Sequence, residues 1–128
     1  MKPLTAEWVS KAEGDYVCVQ REWRARKHPN YDALCFHAQQ CAEKYLKAYL
    51  QESNLSVSRT HNLIALLEPL LTDNPPLEML REALLQLNIY SVAFRYPGES
   101  ALREDARSAR SLCEYVRKTL RRHLVCQD

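Results

Sequence analysis

Apolar residues return along this chain every three or four positions, the period of an amphipathic helix, and nowhere alternate as a half-buried strand would. The first stretch shows the pattern: Trp8/Val9, Ala12, Tyr16, Val19 and Trp23 share a face, until Arg24-Ala25-Arg26-Lys27 and Pro29 end it. Only two glycines occur in 128 residues, and neither forms an Asn-Gly or Asp-Gly turn between alternating runs. A sandwich, a barrel and a glycine-rich phosphate loop are therefore unsupported. The spacing predicts an all-α chain.

The breaks divide the chain into five helices. The first is expected over about residues 6–26, with Thr5 as its N-cap. Asn30 caps the second, whose stripe is Leu34/Cys35, Ala38, Cys41/Ala42, Tyr45/Leu46 and Tyr49, and which ends near Ser53. Thr60 is the expected cap of a short third helix carrying Leu63, Leu66, Leu67, Leu70 and Leu71, with Pro69 shortening its last turn. Pro75 and Pro76 suit the first turn of a fourth, which carries Leu77, Leu80, Leu84, Leu87 and Phe94 and runs to Arg95-Tyr96-Pro97-Gly98. Ser100 opens the fifth, with Leu102, Ala106, Ala109, Leu112/Cys113, Val116, Leu120 and Leu124 on one face. With no repeat or linker, residues 1–128 read as one domain, a single compact up-and-down bundle of about five helices.

Several classes of function fall away on composition. No apolar run approaches the roughly 20 residues that span a bilayer, and the N-terminus lacks a signal-peptide core, so a cytoplasmic protein without membrane contact is expected. The five cysteines (Cys18, Cys35, Cys41, Cys113, Cys126) include no CxxC pair and read as buried thiols in a reducing compartment. His37 and Cys41 are one turn apart, but no third convergent ligand accompanies them, so no metal and no cofactor are expected. Charge is uneven, with six Lys/Arg against four acids in residues 1–30 and seven against four in residues 101–128. Such basic ends attract phosphate only modestly.

Two polar stretches interrupt the apolar pattern. His37, Gln40, Glu43, Lys44 and Lys47 lie at i,i+3 and i,i+4 spacing on helix two, as a site or as a solvated face with an ordinary Glu43/Lys47 pair. Asn88 and Ser91, one turn apart on helix four with Arg95 a turn later, line a polar groove or form a buried pair that fixes helix register. Arg95-Tyr96-Pro97 stands at a helix end, where a guanidinium and a phenol reach a phosphate or a base, or where the arginine bonds the last carbonyls. No nucleophile elbow, HExxH or paired-acid pattern marks a familiar hydrolase.

Taken together these pieces resemble the HEPN domain, the nucleotide-binding domain of higher eukaryotes and prokaryotes, in its RYP-containing type. The resemblance rests on Trp8, Ala12 and Asp15 in helix one and on Cys35-Phe36-His37-Ala38-Gln39-Gln40-Cys41-Ala42-Glu43-Lys44-Tyr45-Leu46-Lys47 in helix two. It continues through Thr60-His61-Asn62-Leu63, Leu87-Asn88-Ile89-Tyr90 and Arg95-Tyr96-Pro97, in that order over essentially the whole chain.

The resemblance implies a homodimer, a minimal nucleotidyltransferase partner in a toxin–antitoxin-like pair, and binding of a nucleotide or RNA phosphate. Arg95 is then expected at the phosphate, Tyr96 at a base or a hydrogen bond, and Glu43, Lys44 and Asn88 as polar groups shaping the groove. Active members of the family resemble metal-independent ribonucleases with an Arg-x4-6-His motif. Here Arg95 is followed by Tyr96-Pro97-Gly98-Glu99-Ser100-Ala101-Leu102, without that histidine. Spacings of that length do occur from Arg21 to His28 and from Arg117 to His123, the first ending in a loop and the second at the far C-terminus. The alternatives are an atypical ribonuclease using His61 or His37 beside Arg95, and a non-catalytic dimerisation and docking module.

Overall fold

A computed structural model describes residues 1–124, and Cys126 lies outside them. Among the described residues, five α-helices form an all-α bundle: α1 (Pro3–Arg24), α2 (Tyr31–Glu52), α3 (Leu63–Leu67), α4 (Arg81–Asn88) and α5 (Arg103–His123). Short 3-10 turns extend α3 through Leu70 and flank α4 over Pro75–Leu80 and Ile89–Ser91. The same residues contain no strand, and no helix is long and apolar enough to cross a membrane.

α2 is the axis. It packs along α1 and α5, and α3, α4 and the turns beside them cover it further. Thirteen of its 22 residues are buried, among them Leu34, Ala38, Tyr45, Leu46 and Leu50. A helix wrapped by neighbours on several sides needs apolar residues beyond one stripe, and α2 supplies them with small residues where helices approach closely, Ala38, Cys41, Ala42 and Ala48. Cys35, Cys41 and Cys113 are buried free thiols, as expected, whereas Cys18 is a free thiol that is only half-buried. Burial pushes the Cys35 thiol up to about 12.

The helix starts test local chemistry most directly. Asn30 caps α2 as expected, its Oδ1 accepting from the Ala33 amide at 2.9 Å. Thr5 does not cap α1, which begins earlier, at Pro3. Proline at the first helical position loses no needed donor, and the Lys2 amide is taken by the Glu52 carboxylate at 3.0 Å, leaving Thr5 buried inside the helix. Thr60 is displaced in the same way: Asn62 caps α3 by accepting from the Ile64 amide at 3.0 Å, while the Thr60 hydroxyl accepts from the Asn62 amide at 3.1 Å. Ser100 also yields, because the Asp105 carboxylate, three residues inside the start, reaches back to the Leu102 amide at 2.8 Å and fixes the first turn of α5 there.

Helix four ends sooner than its apolar pattern predicts. The α-helix stops at Asn88, a 3-10 turn follows to Ser91, and Phe94 stands at φ 63°. A bulky residue in the left-handed region is costly, about 1–3 kcal/mol, and here the Phe94 ring is held by stacking on Tyr90 at 6.3 Å. The sharp reversal that results turns the chain immediately before Arg95. Gly98, at φ 90°, completes the loop with the one residue type that adopts this angle without cost.

Candidate functional site

Gln39, Glu43 and Lys47 follow one another at four-residue intervals on α2 and form a buried polar seam. The solvated-face expectation for Glu43 and Lys47 is thus corrected: side-chain exposure is 4% and 7%, and the pair is closed at 3.1 Å. Burial follows because α1 brings the Trp8 ring over the Lys47 ammonium, at 5.6 Å, and the chain leading into α3 crosses the Glu43 end. The second Glu43 oxygen accepts from His61 Nδ1 at 3.0 Å and lies 3.4 Å from the amides of Gln39 and Gln40. Gln39 in turn donates to the His61 carbonyl at 3.0 Å, so both the backbone and the ring of His61 are anchored to α2.

A carboxylate only accepts hydrogen bonds, so Glu43 places the imidazole proton on Nδ1 and leaves Nε2 as the acceptor. His61 is 71% exposed, and its ring lies at a groove of about 350 Å³ lined also by Phe36, Gln40, Ser91, Val92 and Arg95. Packing therefore brings His61, Gln40 and Arg95, which come from three separate stretches of chain, to one concave surface. An adjoining hollow of about 320 Å³ shares Phe36, Ser91 and Arg95 and adds His37, Tyr90 and Phe94.

A second carboxylate–histidine pair lies on the α1 side of α2. Asp15 Oδ1 accepts from His37 Nδ1 at 2.7 Å and its Oδ2 from Lys44 Nζ at 2.6 Å. Burial alone would raise the Asp15 pKa, but the hydrogen bonds from His37 and Lys44 outweigh it and hold the carboxyl below its ordinary value. Glu13, one turn before Tyr16 on α1, balances in the same way: burial raises it, and bonds from Arg117 and Tyr45 bring it below the usual range.

The expected site residues separate on this surface. Arg95 is exposed and lines both parts of the groove. Glu43 lies beneath it, reaching the surface through His61. Tyr96 lines neither part and is 69% exposed on the turn beside Arg95. Lys44 faces α1 through Asp15. Asn88 spends both ends of its amide on the start of α3, accepting from the Leu63 amide at 2.8 Å and donating to the Asn62 side chain at 3.0 Å. Asn88 thereby locks α4 to the segment that carries His61.

Of the other candidates, His37 is engaged by Asp15 and Cys41 is buried beside the Cys113 thiol, so the two do not converge on a metal position. Among the described residues no group of three or more potential ligands does so. Arg117, one of the two spaced ahead of a histidine, is committed to Glu13 through two bonds of 2.7 Å, and His123 bonds the Thr119 carbonyl at 2.8 Å. Arg117 and His123 thus serve the α1–α5 seam and the end of α5. Ser91 lines the groove with Arg95, one of the two arrangements its spacing allowed, whereas Asp15 as a histidine partner and Phe36 as a groove wall are contributions that helical spacing does not reveal, because each depends on what lies across an interhelical contact.

A family model described as the HEPN domain matches residues 5–123. No curated protein matches the chain. Among solved structures, the crystal structure of TT1696 from Thermus thermophilus is similar, with a TM-score of 0.77 and 25% sequence identity. The similarity covers 92% of this chain and 96% of that one.

Proposed function

The chain belongs to the HEPN domain family, and on that premise we propose that it binds a nucleotide or an RNA phosphate in the groove between α2, the start of α3 and the Arg95 turn. The observation that carries this is the convergence of Arg95 with Gln40 and an anchored His61 on one exposed concavity. A guanidinium offers a planar fork of donors that fits phosphate oxygens, and Phe36, 41% exposed in the same wall, offers a face for a base. Tyr96 stacks or donates from the adjacent turn. Asn88 and Lys44 act one step back, Asn88 by fixing the α3 start and Lys44 by fixing the α1–α2 contact beside His37.

A second function is favoured by the His61–Glu43 pair: metal-independent RNA cleavage. His61 Nε2 takes the proton of a ribose 2′-hydroxyl, the 2′-oxygen attacks phosphorus as the bond to the 5′-oxygen breaks, and the 5′-oxygen takes a proton from water, giving a cyclic phosphate and a 5′-hydroxyl. Arg95 stabilises the charge that builds on the phosphate oxygens. His37, on the adjoining hollow, is the other imidazole within the same surface.

The family further supports a homodimer and a minimal nucleotidyltransferase partner in a toxin–antitoxin-like pair. Leu85, Ile89 and Val92, 47%, 60% and 62% exposed, form an apolar ridge on α4 and the turn after it, and Val92 is also a groove wall. A second copy seated on that ridge would set two grooves side by side over one RNA.

Purified protein incubated with RNA in chelator at two salt concentrations tests these readings. We expect binding that weakens steeply with salt and is lost in Arg95→Ala. Cleavage abolished by His61→Ala makes the protein a ribonuclease, whereas binding without cleavage leaves it a nucleotide-binding protein. Neither binding nor cleavage would sink both and leave a docking module.

A further inference from the structure

Arg103, Arg107 and Arg110 succeed one another on one face of α5, and all three guanidiniums gather on a single ring of α1. They stand 4.5, 6.0 and 5.4 Å from the centre of Trp23. Arg110 is also tied down by Gln20 at 2.9 Å and by Glu114 at 3.3 Å. Among the described residues neither Arg103 nor Arg107 pairs with a carboxylate; Arg103 donates instead to the Tyr31 hydroxyl at 3.1 Å. Both arginines are exposed.

Three like charges around one ring repel each other, and at an exposed site the ring returns only about 0.5–1 kcal/mol per cation. The carboxylates nearby are largely engaged with backbone amides: Glu22 with Asn30 at 2.8 Å, Asp32 with Ala101 at 2.7 Å and Asp105 with Leu102 at 2.8 Å. Arg21 and Arg24 line the neighbouring hollow of α1 together with Tyr16 and Gln20. Among the described residues Arg103 and Arg107 are thus left without a carboxylate of their own.

The face is continuous with the Arg95 groove. The hollow holding Arg95 and Phe36 shares Asn30 and Asp32 with a depression that includes Tyr31, Ser100 and Ala101, and Tyr31 is the residue that Arg103 bonds. Aromatic side chains along this path, Phe36, Phe94, Tyr31 and Trp23, interleave with Arg95, Arg103 and Arg107. Stacking faces interleaved with cations suit a single strand, whose bases are free to leave a duplex stack. From Gln40 to Tyr31 alone the path follows α2 for about 14 Å, more than one nucleotide needs.

We propose that Trp23, Arg103 and Arg107 form a second subsite for single-stranded RNA, holding the strand whose other part lies in the Arg95 groove. The proposal rests on the nucleotide-binding function assigned to that groove. It makes the protein a reader of strand length as well as of a single phosphate.

Three RNAs separate the possibilities: a labelled dinucleotide, a single strand of about ten nucleotides, and a duplex of the same length. Binding of each is measured across a salt series for the native protein, Arg95→Ala, and the double variant Arg103→Ala/Arg107→Ala, with helicity checked by circular dichroism. The double variant should bind the dinucleotide as the native protein does and the longer strand about tenfold or more weakly. Its salt slope for the longer strand should be shallower by about 1.4, the loss of two phosphate contacts. Arg107→Glu, at an exposed position, should reproduce the direction if the double variant is misfolded.

Long-strand affinity and slope unchanged in both variants overturn the subsite, whatever Arg95→Ala does. A dinucleotide indifferent to Arg95→Ala, with the longer strand still weakened by the double variant, overturns the groove and upholds the Trp23 subsite. A duplex that binds as well as the single strand overturns the assignment to unpaired RNA.

Discussion

Two carboxylates of this bundle each hold one histidine Nδ1 and one lysine ammonium, and the two clusters do different things. At Asp15 the partners His37 and Lys44 are 30% and 24% exposed, and every bond crosses from α1 to α2. At Glu43 the lysine is almost wholly buried beneath Trp8, while His61 is 71% exposed at a groove with Arg95. The Asp15 cluster joins two helices. The Glu43 cluster converts a buried charge into a fixed, accessible imidazole. Identical donor sets thus take on different work according to which partner the fold leaves open to water.

The largest effect should come from removing the buried carboxylate. Glu43→Ala leaves Lys47 as an uncompensated charge in the interior and is expected to cost about 3–5 kcal/mol in urea unfolding. A loss below about 1 kcal/mol would show that Lys47 escapes to water and that the seam is not closed. Arg95→Ala should change stability by less than about 0.5 kcal/mol, since the side chain is exposed, yet weaken nucleotide or RNA binding about ten- to hundredfold. Titration calorimetry beside thermal unfolding distinguishes the two readouts.

The Asp15 cluster should declare itself through pH. Because the folded-state pKa of Asp15 is below its unfolded value, the cluster contributes stability that is fully present above about pH 4. That contribution is lost as pH falls from there through the lower folded value. Asp15→Asn should cost about 1–3 kcal/mol at neutral pH and flatten this acid limb. Glu13, shifted the same way, keeps part of the limb in the variant, so a wholly flat profile would contradict its bonds to Arg117 and Tyr45.

The smallest difference in stability is also the sharpest contrast. His61→Ala should cost less than about 0.5 kcal/mol and His37→Ala about 1 kcal/mol, the order set by their exposure and by the shorter bond at Asp15. Their functional order should be the reverse, with His61→Ala abolishing any RNA cleavage that the chain performs. Equal losses of cleavage from both would merge the two clusters into one site.

Much of the fold is legible because helices are local. The apolar stripes, Asn30 at the start of α2, Pro69 at the end of α3 and the double proline before α4 all act through neighbours three or four residues away. The displaced caps show where locality fails. Thr5, Thr60 and Ser100 have the right side chains, but Glu52, Asn62 and Asp105 accept from the amides at the helix starts instead, and the first of these comes from a helix fifty residues away. The groove was legible by halves: Arg95 stands out at a helix end, and His61 is visible beside a cap, but nothing in their spacing joins them.

Periodicity and punctuation sufficed for an all-α chain, because backbone hydrogen bonds in helices close within four residues, while its likeness to the HEPN domain rested on particular residue runs such as Cys35 to Lys47 and Arg95-Tyr96-Pro97. Burial of Glu43 and Lys47 and the meeting of His61 with Arg95 depended on how the helices pack. So did the gathering of three arginines on Trp23. The physical reason is that a helix face announces its own pattern along the chain, whereas the environment of a charge is set by whichever distant side chains displace its water.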